Sequence, residues 1–343
     1  MRAIVLGAGV AGLACAVELA ERGAAVEVLE RGERLGAACC SWYAGGMLAP
    51  WCERESAEPL VTTLGAESLA WWAARFPDTV LRGSLVVAHG RDAGELRQFA
   101  RRTERYQWVE SQGIAELEPD LAGRFSQGLY FPEEGHLDPR AALAALAARL
   151  AALGAPIRFG TDAQACEEKT LAAQAAGTTV IDCRGLEARD ALPDLRGVKG
   201  EMLVVRLADV SLSRPVRVLH PRVPVYIVPR GDGHYMIGAT MIESDQPSRI
   251  TVRSMLELLG AAYALHPAFG EAEIVEIGTG VRPAFPDNLP RVCRIGDTVH
   301  VNGLYRHGFL LAPALARQAA ELVLAADDSL EVMHADSRQR RLA

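Results

Sequence analysis

No C-x-x-C pair occurs in this chain, and its seven cysteines (15, 39, 40, 52, 166, 183 and 293) are odd in number. Complete disulfide pairing within the chain is therefore excluded, and a reducing compartment is expected. None of the eight histidines sits with cysteine at metal-ligand spacing, so no zinc site is expected. A basic stripe is also missing. The 36 Lys and Arg stand against 43 Asp and Glu, a net charge of −7, which argues against nucleic acid as a partner. No apolar run is long enough to span a bilayer. The first residues lead straight into a strand and a glycine loop, with no charged leader or cleavage site. A cytoplasmic protein, neither exported nor membrane-bound, is expected. No Ser-His-Asp or Cys-His arrangement can be argued from spacing, and no pair of carboxylates stands out. Internal repeats are absent, and the only compositional bias is alanine in the helices.

What is present begins with length. The chain has 343 residues, half of them hydrophobic, which suits two domains or one elaborate domain with a large core. Residues 4–31 are the most informative run. Ile4–Leu6 reads as a short strand, and Gly7, Gly9 and Gly12 form G-x-G-x-x-G around Val10 and Ala11. A helix of about three turns and a second strand, Ala25–Leu29, follow and end in Glu30. Gly7 allows a tight turn out of the strand. Gly9 lets backbone approach a pyrophosphate, and Gly12 lets the helix pack close on the strand. The helix N-terminus aims free N–H groups at the phosphates. Glu30, 18 residues past Gly12, can accept hydrogen bonds from both ribose hydroxyls and would repel a 2′-phosphate. A dinucleotide site that disfavours NADP is the expectation. A tight βα turn without ligand would not need the acid.

Beyond this unit, Gly45 and Gly46 lie in an apolar stretch and suggest backbone against a flat ligand, or a simple loop leading into a helix. Helices are expected over 59–76, 93–104, 140–153 (capped by Asp138 with Pro139 following), 248–265 and 313–325. Strands are expected at 84–88, 128–132, 157–159, 178–182, 273–282, 292–295 and 299–302, and a short turn-bounded segment at 114–119. Between Lys199 and Gly238 the pattern changes to strands separated by Gly, Pro and Asp turns, which reads as an antiparallel sheet. The tail after Asp327 is charged and expected to be mobile. The fold class is thus α/β. A Rossmann-like dinucleotide-binding domain (1–82, 137–197 and 283–343) is interleaved with an antiparallel-sheet, α+β substrate domain (83–136 and 198–282). A cofactor on the first would present its reactive end to the second.

Arg282 and Arg306 each occupy an apolar, glycine-rich context, Gly280–Pro283 and Asn302–Pro313. A guanidinium there calls for an anion, and bidentate pairing with a carboxylate is the natural solution, although a protein acid or solvent would also serve. If Pro313 opens the last helix, its dipole could favour negative charge on a reduced ring. Tyr226 could donate to a ligand or lie in the core, and Met241 could line a pocket or fill a gap. His307 is read as a surface residue or a support behind the site rather than an acid or base.

Taken together, the glycine loop with Glu30, AGGMLAP (44–50), YIVPRGDG with GATM (226–241), the Gly280–Pro283 stretch and YRHGFLLAP (305–313) resemble the FAD-dependent D-amino acid oxidase superfamily. Within it they resemble most the glycine oxidases of thiamine (thiazole) biosynthesis. The resemblance covers about residues 1–325. It implies a non-covalent FAD, with Tyr226 and Arg282 holding a substrate carboxylate, Arg306 nearby and Met241 lining the pocket. It places Gly45, Gly46 and Met47 along the flavin, His307, Gly308, Phe309, Leu310 and Leu311 by its pyrimidine end, and Arg31 near the adenosine. Ala163 would offer backbone to the adenine, with Cys183 and Gly185 near the cofactor. Sarcosine oxidases hold flavin through a cysteine in the region of Cys293, but its strand context here matches the glycine oxidase pattern. The unusual neighbours Cys39-Cys40 and Trp51-Cys52 leave the shape of the pocket mouth open. The implied activity is oxidation of a small amino acid to an imine with hydrogen peroxide from O2, glycine first and then sarcosine or D-alanine. The product would be hydrolysed or passed to thiazole synthase, and a homo-oligomer is implied. A D-amino acid or sarcosine oxidase or dehydrogenase remains an alternative, as does a dinucleotide-binding regulator without turnover.

Overall fold

In the computed structural model, residues 1–220 and 224–324 are described. The strands in chain order are β1 (Arg2–Leu6), β2 (Ala25–Leu29), β3 (Met47–Leu48), β4 (Ser84–Ala88), β5 (Gln107–Glu110), β6 (Gln127–Phe131), β7 (Gly135–His136), β8 (Ile157–Arg158), β9 (Thr179–Asp182), β10 (Arg196–Arg206), β11 (Val216–Leu219), β12 (Val225–Pro229), β13 (His234–Gly238), β14 (Ile242–Glu243), β15 (Glu273–Ala284), β16 (Arg291–Ile295) and β17 (Thr298–Asn302). The helices are α1 (Val10–Glu21), α2 (Pro50–Glu53), α3 (Pro59–Arg75), α4 (Ala93–Arg102), α5 (Ser111–Leu117), α6 (Pro139–Ala152), α7 (Ala163–Ala175), α8 (Val252–Leu265) and α9 (Gly308–Leu324).

The described residues form two compact units, 1–42, 140–198 and 281–324 in the first and 43–139, 199–220 and 224–280 in the second. The stretch 43–82, read from sequence with the dinucleotide domain, falls in the second unit. The first unit is built on a six-stranded sheet ordered β16-β17-β9-β1-β2-β8. All its neighbours are parallel except the β16–β17 hairpin. β1 is central, and its residues Ala3–Leu6 are buried, as a strand covered on both faces requires. α1 packs against α9, and both are lined by small residues that permit close approach.

The second unit holds a nine-stranded sheet ordered β14-β10-β13-β12-β11-β4-β6-β5, with β15 also beside β10. It is not purely antiparallel as expected, because β4 and β11 pair in parallel, Val216 opposite Leu85. No hairpin joins those two strands, so nothing local sets their relative direction. Leu258, Ala262 and Leu265 of α8 pack with Leu203, Val205, Ile227, Tyr235 and Ile237 in its main core. Three helices were not read from the sequence, among them the one-turn α2. α7 is rich in alanine and polar residues and lacks an apolar stripe, and α5 was read as a turn-bounded segment. The charged segment after Asp327 lies outside the described residues. No helix among those described is long and apolar enough to cross a membrane.

Candidate active site

The three loop glycines answer to different demands. A Cβ on Gly7 would meet the Cys183 carbonyl oxygen at 2.8 Å, and its φ of +96° lies where side chains are strained. A Cβ on Gly12 would meet the Gly7 carbonyl oxygen at 1.9 Å. Both positions are therefore closed by the protein itself. Gly9 differs, since an added Cβ would meet only Ser41 Oγ at 3.5 Å and Cys39 Cβ at 3.7 Å, which are ordinary contacts. It caps the N-terminus of α1, where the Val10 N–H donates to Ser41 Oγ at 3.2 Å. Nothing in the fold asks for glycine there. The open side of that position is the cradle a phosphate would fill.

Glu30 is buried at the end of β2 and bridges two loops. Its Oε2 accepts the Ala8 N–H at 2.6 Å and its Oε1 the Gly32 N–H at 2.7 Å. Both bonds orient the carboxylate while leaving each oxygen a further lone pair. Arg31 points to solvent and pairs with Glu187 at 3.0 Å. Ala163 is the first residue of α7, behind the N-cap Asp162, whose carboxylate accepts the Ala165 N–H.

The loop after β9 runs beside the glycine loop. Cys183 N–H donates to the Leu6 carbonyl at 2.9 Å. Burial would raise the Asp182 carboxyl, but hydrogen bonds from His300 and Arg184 outweigh it and hold the pKa at about 2. Arg184 also reaches Asp190, so the turn through Gly185 (φ +61°) is braced on both sides. Asn302 at the end of β17 donates from Nδ2 to the Gly185 carbonyl at 2.8 Å. The Tyr305 N–H donates to the Pro283 carbonyl at 3.0 Å. That last bond ties the residue before Arg306 to the residue after Arg282, so the two arginines belong to one junction. The sequence marked both arginines but not the groups that join their segments, because Asp182, His300 and Asn302 carry no short-range signature.

Arg306 Nε donates to His307 Nε2 at 3.3 Å, and His307 is buried, which removes the surface alternative of its reading and leaves the supporting one. Burial pushes the Cys40 thiol up, and the Arg282 guanidinium works against that rise, which places the cation by Cys40. A correction applies to α9. Pro313 was expected in the first turn, yet the helix starts at Gly308, with the Leu311 N–H donating to the His307 carbonyl at 2.8 Å. Phe309, Leu310, Leu311 and Ala312 are all buried, and burying them is what extends the helix N-terminal to the proline. Gly308 and Val10, each the first residue of its helix, adjoin, since a Cβ on Gly308 would lie 3.4 Å from Val10 Cγ1. Two helix N-termini thus meet in one place, which favours negative charge there.

In the second unit, Gly45 and Gly46 are both used by the protein. A Cβ on Gly45 would meet the Tyr226 ring at 2.9 Å, and one on Gly46 (φ +72°) the Leu137 carbonyl at 2.2 Å. Arg230 fixes this loop, donating to the carbonyls of Leu137 (2.7 Å), Ala44 (2.8 Å) and Gly45 (3.0 Å). It was not singled out from the sequence, although it directly follows the YIVP strand. Met47 pairs with His136 across β3 and β7, and Met241 is half exposed beyond β13. Cys52 is buried with Ser84 and Glu134. Among the described residues no group of His, Cys, Asp or Glu could hold a metal ion.

Similarity to known proteins extends over most of the chain. The chain is 56% identical to the "Putative thiamine biosynthesis oxidoreductase ThiO" of Rhizobium etli, over 94% of this chain and 97% of that protein. It is 28% identical to the bifunctional protein ThiO/ThiG of Synechocystis sp., over 99% of this chain but 54% of that longer protein. The crystal structure of glycine oxidase from Geobacillus kaustophilus superimposes with a TM-score of 0.76 at 25% identity, covering 94% of both chains. A family model described as "DAO: FAD dependent oxidoreductase" matches residues 2–322. That match runs from β1 into the last turn of α9 and takes in both units, so the chain belongs to the DAO family of FAD-dependent oxidoreductases.

Proposed function

We propose that this chain oxidises glycine with FAD as its electron acceptor, in the supply of thiazole for thiamine. Glycine and O2 give the imino acid and hydrogen peroxide, and the imino acid hydrolyses to glyoxylate and ammonia or passes to a thiazole synthase. The ThiO/ThiG fusion among the relatives supports the second fate. The observation that carries the reading is the Arg282–Arg306 junction tied by the Tyr305–Pro283 hydrogen bond. Two guanidiniums on one rigid junction suit a carboxylate, and a small amino acid presents one.

A bound FAD would supply the acceptor for the hydride that leaves the amine-bearing carbon. The residues that would hold it are Gly9, Val10, Ala11 and Glu30, with the segments at 183–185 and 307–310 beside them and Gly45–Met47 along the flavin. Arg31 and Ala163 belong to the adenosine end. Glu30 would accept hydrogen bonds from the ribose hydroxyls on its remaining lone pairs. Arg282 and Arg306 fix the carboxylate and so orient the reacting C–H bond, with Tyr226 as a further donor and Met241 against the small side of the substrate. Tight fixation replaces acid–base catalysis, since the neutral amine needs no proton removed at that step. Cys293 packs against the Ala188, Leu192, Leu195 and Phe285 core and its thiol is pushed up by burial, which supports a non-covalent cofactor. A cytoplasmic homo-oligomer completes the reading.

The test is anaerobic addition of glycine, sarcosine and D-alanine to the purified flavoprotein, followed at roughly 450 nm where oxidised flavin absorbs. Bleaching by glycine at the lowest concentration supports the reading. Preferential bleaching by D-alanine or sarcosine would move the protein to another branch of the family, and no bleaching by any amino acid would defeat it.

A further inference from the structure

Lys199 and Glu201 lie two residues apart on β10, so they share a face. Both are out of water, 2% and 0% exposed, and Lys199 Nζ meets Glu201 Oε1 at 2.6 Å. The reaction above uses neither. A buried ion pair is weak evidence for stability, because apolar residues of the same volume often serve as well. Its remaining hydrogen bonds show what it holds.

Apart from a bond between Glu201 and Ser254 of α8, they all reach one loop. The Glu201 N–H donates to Thr240 Oγ1 at 2.9 Å, and Thr240 Oγ1 donates to Glu201 Oε2 at 3.2 Å. The Thr240 N–H donates to the Glu201 carbonyl, also at 3.2 Å. Eight and nine residues later, Lys199 Nζ donates to Ser248 Oγ at 2.9 Å and to the Arg249 carbonyl at 3.0 Å. In the ladder Lys199 pairs with Ile242. Residues 240–249 therefore leave and return at the same buried pair. Between those ends Glu243, Asp245, Gln246 and Pro247 are exposed. Met241 directly follows the Thr240 tie and is half exposed.

We propose that the Lys199–Glu201 pair is a positioning device that clamps both ends of the 240–249 loop and so sets where Met241 meets the substrate. This rests on the glycine oxidase reading and adds to it the determinant of substrate fit. Burial pushes the Glu201 carboxyl up, but hydrogen bonds from Lys199, Ser254 and Thr240 more than offset it, and the acid stays ionised. The loop is thus held by charge-assisted bonds, which are stronger than neutral ones.

The test uses the holoenzyme and two readouts. One is the KM for glycine beside the limiting rate of flavin reduction. The other is trypsin cleavage after the exposed Arg249, which a tightly clamped loop resists. Thr240→Val should raise the glycine KM about fivefold or more while the limiting rate stays within about twofold, and Thr240→Ser, which keeps the hydroxyl, should restore it. Ser248→Ala should speed cleavage. The paired replacement Lys199→Met with Glu201→Leu keeps the core apolar and filled, so it should fold and show both effects. Unchanged KM in the folded double variant overturns the proposal, and so does faster cleavage without a KM change. The two readings fail separately. An active wild-type enzyme with an unaffected double variant sinks the clamp alone, whereas a wild-type flavin that glycine does not reduce sinks the reaction and the clamp with it.

Discussion

Gly7, Gly9 and Gly12 look alike in a motif but are held by different forces, and substitution separates them. Gly7→Ala and Gly12→Ala drive a methyl into backbone oxygen and should prevent a native fold or destabilise it severely. Gly9→Ala meets only ordinary contacts, so the apoprotein should melt at the wild-type temperature while FAD affinity falls by about tenfold or more, as a flavin fluorescence titration would read. Wild-type FAD affinity in that variant would show that position 9 faces no ligand. Arg282→Ala removes half of the carboxylate clamp, and loss of a buried bidentate charge pair is worth roughly 2–5 kcal/mol. Steady-state kinetics should show that loss as a steep rise in glycine KM. Glu134 offers a pH test. It is buried, accepts the Cys52 N–H at 2.7 Å and the Ser84 hydroxyl, and burial outweighs those bonds and raises its pKa from 4.5 to about 7. The folded state thus holds this proton more tightly than the unfolded state. Its contribution is fully present below pH 4.5 and is lost as pH rises through about 7. His136 runs the other way. Burial and then Arg230 depress its pKa from 6.5 to about 4, so stability is lost as pH falls below 6.5. Subtracting Glu134→Gln from wild type isolates the acid. The variant should gain on wild type between pH 4.5 and 7, by on the order of 3 kcal/mol at most, in denaturant titrations. A difference independent of pH would refute the raised pKa.

At the scale of elements, termini depended on packing and caps more than on propensity. α9 takes in a proline at its sixth position, and a proline has no N–H for the helical ladder. The early start is compensated by burying Phe309–Ala316 as one continuous apolar run. Proline favours first turns, and that rule alone placed the helix start too late. α7 shows the reverse case. Its sequence has no apolar stripe, but Asp162 accepts the Ala165 N–H at 2.8 Å and supplies a firm N-cap. Asp162→Ala should cost about 1 kcal/mol in thermal or denaturant unfolding. No measurable loss would mean that α7 is held by packing alone.

For the whole molecule, the cofactor and the fold are thermodynamically linked. FAD binds only the folded chain, so saturating it at 100 times its Kd should add roughly 2.7 kcal/mol and raise Tm in proportion to the logarithm of FAD concentration. NADP should give no such shift, because in the proposed site Glu30 would repel a 2′-phosphate. A Tm indifferent to added FAD would contradict the assignment of the glycine loop. The sequence by itself determined the β1–α1–β2 unit and its acid, the strand-rich second half and the two arginines. Those features are local, since steric limits on glycine, strand alternation and the need of a guanidinium for an anion act within a few residues. Only the tertiary structure decided that Pro283, Tyr305, Asn302 and Gly185 form one junction, that Arg230 pins the Gly45 loop, and that Lys199 and Glu201 hold residues 240–249. These pairings join segments 22 to 186 residues apart, and which of many chemically equal partners meet depends on the path of the chain. The parallel β4–β11 pair was hidden for the same reason, because strand direction is encoded locally only where a short turn joins the strands.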